Sequence, residues 1–117
     1  MGHVRVPVRL INGDRTITVN ALVDTGSTIM VITRDVADSL GLRPLGKVSV
    51  ELADGSGRVV DYTAVEVELM GRRAPVIAAI VEGGEVLVGV EVLERLGLAI
   101  DPVSGRLYET RRFVTRI

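Results

Sequence analysis

Thirteen glycines cut the 117-residue chain into short apolar runs, and this close punctuation leaves little room for long helices. Val, Ile and Thr are prominent in the runs, which favours strands. Between His3 and Ile11, Val4, Val6, Val8 and Leu10 alternate with Arg5 and Arg9, and Ile17, Val19, Ala21 and Val23 alternate again after Asn12-Gly13-Asp14. A period of two on both sides of a positive-φ turn predicts a hairpin. Asp24-Thr25-Gly26-Ser27 interrupts the pattern, Thr28 to Ile32 reads as a strand, and Thr33 can cap a short helix through Leu40 that stops at Gly41. Val48 to Leu52 and Val59 to Leu69 predict a second hairpin, with a mobile, glycine-laden tip from Ala53 to Arg58.

Ala74 to Val81 reads as an apolar strand, Glu82 to Glu85 as a turn, and Val86-Leu87-Val88 as a very short strand stopped by Gly89. Val92, Leu93 and Leu96 fall at helical spacing, with Gly97 placed to end that helix in a left-handed turn. Leu98 to Ile100, a turn over Pro102 to Gly105, and Arg106 to Tyr108 close the chain as two more short strands. The expectation is one mainly β domain spanning 1–117. A strand, a glycine loop and a short Leu-Gly-terminated helix occur at Leu22 to Leu42 and again at Leu87 to Leu98, which suggests a duplicated half-domain.

Composition narrows the chemistry. Fourteen Lys plus Arg against fifteen Asp plus Glu give a net charge of −1, so no broad positive field awaits phosphate backbones. One Phe and two Tyr also leave few platforms for stacking bases, and nucleic acid is not an expected partner. With no Cys and one His, thiol nucleophiles, disulfides and thiolate or His-rich zinc sites are excluded. No metal or other cofactor is expected. No apolar run approaches the roughly 20 residues that span a bilayer, and Met1 to Arg5 lacks the apolar centre of a signal peptide. The chain therefore reads as a soluble cytoplasmic protein without membrane contact.

Carboxylate, hydroxyl and backbone chemistry remain, and they meet at Leu22-Val23-Asp24-Thr25-Gly26-Ser27. An acid directly after an apolar strand is unfavourable unless backbone N–H groups and hydroxyls hold it, and this turn offers both. Gly26 lets another backbone or a substrate approach closely, and Thr25 is short enough to brace the loop by a local hydrogen bond. Read alone, the triplet also fits an Asx-type turn between two strands. Asp35, Asp38, Glu91 and Glu94 lie on the short helices with apolar partners and read as solvated faces, while His3, lone and near the terminus, carries no assigned role.

The Leu22 to Ser27 segment, followed later by Leu87-Val88-Gly89 leading into a short helix, closely resembles the retropepsin-like aspartic proteases, in their cellular or retroelement form. The resemblance covers about residues 4 to 101. It implies a small closed or partly closed β-barrel with two short helices, in which the second hairpin serves as a flap. It also implies an aspartic endopeptidase. Hydrolysing a peptide without metal or covalent nucleophile needs one carboxylate to take a proton from water and one carboxylic acid to polarise the carbonyl. One such loop supplies half of that pair, so catalysis requires a homodimer in which Asp24 meets its own copy across a two-fold axis.

Asp24, Thr25 and Gly26 are then the catalytic loop, and Ser27 together with Asp54, Gly55, Ser56 and Gly57 at the flap tip would contact an extended peptide. Ile80, Val81 and Leu87 are the expected pocket walls. Asp54-Gly55-Ser56 is rejected as a second catalytic loop, because Glu51-Leu52-Ala53 and Arg58 lack a buried apolar run and Asp-Gly is an ordinary hairpin-turn signal. Two departures from the family bear on assembly: Gly89-Val90-Glu91 stands where retroviral members often carry Gly-Arg-Asp or Gly-Arg-Asn, and about 16 residues follow Asp101. Leu107 to Thr110 could build an intersubunit sheet, and Arg111 to Ile117 could pair, fray or lead onward. The alternative from another class is a non-catalytic dimerisation or peptide-binding module on the same scaffold.

Overall fold

A computed structural model describes residues 4–114 and 117. The strands expected from the alternation form β1 (Val4–Asn12) and β2 (Arg15–Val23), joined by the two-residue turn at Gly13 and Asp14. They pair from Val4↔Val23 to Asn12↔Arg15, which directs Val8 and Leu10 into the core while Arg5 and Arg9 stay exposed. His3, the expected start of the first strand, lies outside the described residues. The next strand, β3 (Met30–Thr33), begins two residues later than the apolar run suggested, because 24–29 are occupied by the Asp24 loop.

Thr33 caps α1 (Arg34–Ser39) by accepting a hydrogen bond from the Val36 amide, and Gly41 follows at φ 66°. The long hairpin comes next: β4 (Gly46–Glu51), β5 (Gly57–Leu69) and then β6 (Arg72–Val81), with Met70 and Gly71 turning the chain between the last two. After β7 (Leu87–Val88), α2 (Val90–Leu96) ends at Gly97, whose φ of 66° is the left-handed conformation anticipated there. A separate hairpin, β8 (Leu98–Ile100) and β9 (Leu107–Glu109), completes the described chain.

The seven-stranded sheet runs β1-β2-β7-β3-β6-β5-β4, and a further pairing of β1 with β5 at Arg9↔Glu68, Leu10↔Val67 and Ile11↔Glu66 bends it into a ring. The barrel is thus partly closed, with β4 left outside the ring as a flange on β5. Inside lie Val8, Leu10, Met30, Ile32, Ala37, Val67, Ile80, Val88, Val92 and Leu96, drawn from strands and from one face of each helix. Burying one of the larger of these side chains contributes about 1.5–3 kcal/mol, so this cluster is the main stabilising feature of the fold. The buried Thr63 hydroxyl is matched by the Arg43 carbonyl at 2.9 Å, and among the described residues no buried side-chain polar atom lacks a partner. The helix acids Asp35, Asp38, Glu91 and Glu94 are exposed, as expected of solvated faces.

The tail folds as the two short strands and turn expected there, the second strand lying one residue later than its apolar pattern suggested. Leu107 to Thr110 pairs within the chain, through Leu98↔Glu109, Ala99↔Tyr108 and Ile100↔Leu107, and the Thr110 amide donates to the Gly97 carbonyl at 2.8 Å. Its physical cause is the tight turn ending at Gly105, φ 70°, which folds β9 back onto β8. Beyond it, Arg111 donates to the Glu94 carbonyl at 2.9 Å, while Thr115 and Arg116, part of the expected pairing or fraying segment, lie outside the described residues. No helix among the described residues is long and apolar enough to cross a membrane.

Candidate active site

Asp24 sits where β2 leaves the sheet. Leu22 and Val23 run parallel to Leu87 and Val88, and the Asp24 amide donates to the Val88 carbonyl at 3.0 Å, so the residue is fixed at the end of a ladder rather than on a free loop. Its carboxylate accepts the Gly26 amide at Oδ1, 2.9 Å, and its carbonyl accepts the Ser27 amide at 3.1 Å. The side chain is half-buried and oriented, with one oxygen held by the turn.

The loop beyond it is clasped by α2. That helix starts at Gly89 with no capping side chain, and its first amides, those of Val90 and Glu91, donate instead to the carbonyls of Ser27 and Thr28 at 2.8 and 2.9 Å. Orphan donors of a helix N-terminus and orphan acceptors of an irregular loop satisfy each other. Such contact needs close approach: a Cβ at Gly89 would lie 2.5 Å from the Ile29 carbonyl oxygen and 2.6 Å from that of Ser27. The apolar-apolar-Gly segment after β6 is therefore the mechanical seat of the Asp24 loop. Sequence reading paired the two motifs without revealing this clasp, although a helix starting at a glycine with no Ser, Thr, Asp or Asn to cap it was the available signal.

The other expected site residues fall in three places. Ser27 braces the loop through its hydroxyl, which donates to the Ile29 carbonyl at 2.8 Å, whereas the Thr25 hydroxyl is exposed and makes no hydrogen bond among the described residues. Local bracing thus comes from Ser27 and Gly26. Asp54 to Gly57 form the exposed end of the β4–β5 hairpin, where Asp54 accepts the Ser56 hydroxyl and amide at 2.6 and 2.9 Å and Gly55 takes φ 85°. The Ser56 hydroxyl, and next its amide, hold the Asp54 carboxyl below its ordinary value.

Leu87 lies beside Leu22 and Val31 and so borders the Asp24 loop. Val81 is half-buried beside Thr33, three residues along β6 from Ala78, the partner of Met30, a displacement of about 10 Å. Ile80 is 2% exposed and belongs to the core cluster. The inward face of the strand withdraws it, so in this chain it offers no surface to a ligand. No group of three or more metal-ligating side chains occurs among the described residues.

The order of these parts, an Asp-Thr-Gly loop seated on an apolar-Gly helix with a long hairpin between them, agrees with a family profile described as aspartyl protease, which matches residues 6–92. The chain belongs to that family. No curated protein matches it. Among solved structures, this retropepsin-like chain is similar to the EIAV protease complexed with the inhibitor HBY-793, at TM-score 0.68 and 19% identity over 82% of this chain and 89% of that one. It is likewise similar to the retroviral protease-like domain of Ddi1 from Leishmania major, at TM-score 0.63 and 20% identity over 93% and 89% of the two chains. At such identities the likeness is one of fold, and the fold is the retropepsin barrel.

Proposed function

We propose that this single domain is an aspartic endopeptidase that acts as a homodimer on extended peptides. The observation that carries the reading is the single seated carboxylate of Asp24, at the strand end of an aspartyl-protease-family chain whose other corresponding element is Leu87-Val88-Gly89, with no acid. One subunit supplies one carboxylate, and a second copy supplies the other. In the ionised member of the pair an oxygen takes a proton from water; the protonated member donates to the scissile carbonyl; the water oxygen attacks the carbonyl carbon; and a proton then passes to the departing amine as the C–N bond breaks. Two carboxylates at such a distance cannot both ionise readily, which leaves one proton between them.

The hairpin from β4 to β5 fits the part of a flap. Its exposed tip and its unpaired β4 edge could hydrogen-bond an extended substrate and exclude water from the reacting bond. Leu87 and Val81 support apolar pockets. The test is cleavage of an unbiased peptide library from acid to neutral pH by wild type and Asp24→Asn, with the dimer state of both recorded. Loss of cleavage in a folded, dimeric variant supports the reading. A well-formed wild-type dimer that cleaves nothing favours the peptide-binding module instead.

A further inference from the structure

The β4–β5 hairpin leaves the barrel at one residue. β5 pairs with β6 from Leu69↔Arg72 as far as Asp61↔Ile80, and beyond Asp61 its residues pair only with β4. The burial pattern changes at the same point: Thr63, Val65, Val67 and Leu69 alternate inward, whereas 51–59 are exposed on both faces. The hairpin is therefore an arm projecting from the body, and Asp61 is at its root.

Two cations from two other elements converge there, and one of them is shared with a second acid. Lys47 Nζ of β4 donates to Asp61 Oδ1 at 2.8 Å, and Arg34 Nη2, from the first residue of α1, donates to Asp61 Oδ2 at 3.1 Å. Arg34 Nε in turn meets Glu82 Oε1, just past the end of β6, at 3.0 Å. Each carboxylate oxygen is tied to a different cation, one on the arm and one on the body, and the Asp61 side chain is only 20% exposed. A carboxylate held in this way resists both sideways and hinge rotation of the strand that carries it, which the backbone ladder of a lone two-stranded arm does not.

We propose that Asp61 is a positioning residue, the fulcrum that sets the angle of the β4–β5 arm and, with that arm acting as the flap proposed above, governs substrate retention. Its kinetic consequence rests on the protease reading above; its effect on the arm does not. Exposed or half-exposed ion pairs add little to global stability, so removing this one changes the arm's position while leaving the barrel folded.

The experiment is amide hydrogen exchange on the full chain without substrate, comparing wild type, Asp61→Asn, Asp61→Glu and Glu68→Gln, followed by steady-state kinetics on a cleaved peptide. Glu68 pairs with Arg9 at 3.1 Å on the outer face of the β1–β5 pairing, so its substitution controls for the loss of an ion pair on β5. Asp61→Asn should speed exchange of amides in 48–60 by about three- to tenfold and leave those in 63–69 unchanged. KM should rise by a similar factor with kcat within about twofold, and Asp61→Glu should recover part of both effects. Arm exchange equal to wild type, or an equal change in Glu68→Gln, would overturn the proposal. If the wild type cleaves no peptide, the protease reading fails, and the exchange data still decide the fulcrum.

Discussion

Gly89 and Ser27 are held so close that a methyl group on the glycine would stand 2.6 Å from the serine carbonyl oxygen. Gly89 has φ −90°, a conformation open to any residue, so the need for glycine here is steric and not conformational. Gly89→Ala should force the Asp24 loop and α2 apart. The expected loss is roughly 1–3 kcal/mol of stability, as for other overpacked sites, with a larger proportional loss of peptide cleavage because the displaced segment carries Asp24. Urea unfolding and cleavage rates on the same preparation measure both.

Arg72 fastens the tail. Its Nη1 donates to the carbonyls of Leu96 at 2.8 Å, Gly97 at 3.2 Å and Arg111 at 2.9 Å, its Nη2 pairs with Glu109 at 2.8 Å, and its guanidinium lies 5.6 Å from the Phe113 ring centre. The last carbonyls of α2 are thereby satisfied by a strand residue. Arg72→Met should destabilise by about 1–3 kcal/mol by removing the side-chain donor of the Leu96 carbonyl, since the Gly97 carbonyl keeps the Thr110 amide, and Arg72→Lys should recover only part, because an ammonium lacks the planar fork. Chemical denaturation of the three proteins is the check.

Much of the fold was legible because alternation and turn chemistry act locally. The β1–β2 hairpin, the Thr33 cap, and Gly41 and Gly97 as helix stops are each set by a few neighbouring residues, and the structure has them where the sequence put them. What was not legible depends on contacts between distant residues. Nothing near Asp61 announces Arg34 or Glu82, which are 27 and 21 positions away in the chain and meet only when β3, β5 and β6 assemble. Ile80 and Val81 illustrate the same limit: both are apolar neighbours on β6, the pleat sends them to opposite faces, and only the packing around the strand decides that Ile80 faces the core and Val81 stays half-exposed.

Acid should weaken the anchor at the root of the arm. Lys47 first, then Arg34, hold the Asp61 carboxyl below the ordinary 3.8. Because the folded value lies below the unfolded one, its stabilising contribution is complete above 3.8 and disappears as pH falls through the lower folded value. Thermal melts from about pH 5 to about pH 2.5 should therefore show wild type losing stability more steeply than Asp61→Asn at the acid end. Parallel curves would remove Asp61 from the account of acid sensitivity.

The turn between β5 and β6 is improvable. Met70 holds φ 54° beside Gly71 at φ 74°, a left-handed pair that suits Asn-Gly better than Met-Gly. Met70 is 49% exposed, so little packing is lost on substitution. Met70→Asn should raise stability by about 1 kcal/mol, read as a higher urea midpoint with an unchanged slope.

The shared site is tested most directly by mixing. Wild-type and Asp24→Asn chains are combined in equal amounts at fixed total concentration, allowed to exchange subunits, and assayed on a cleaved peptide. If activity requires both copies of Asp24, only wild-type homodimers work and the rate falls to about one quarter of the unmixed wild type. A rate of about one half would mean that each chain works alone, and would contradict the dyad.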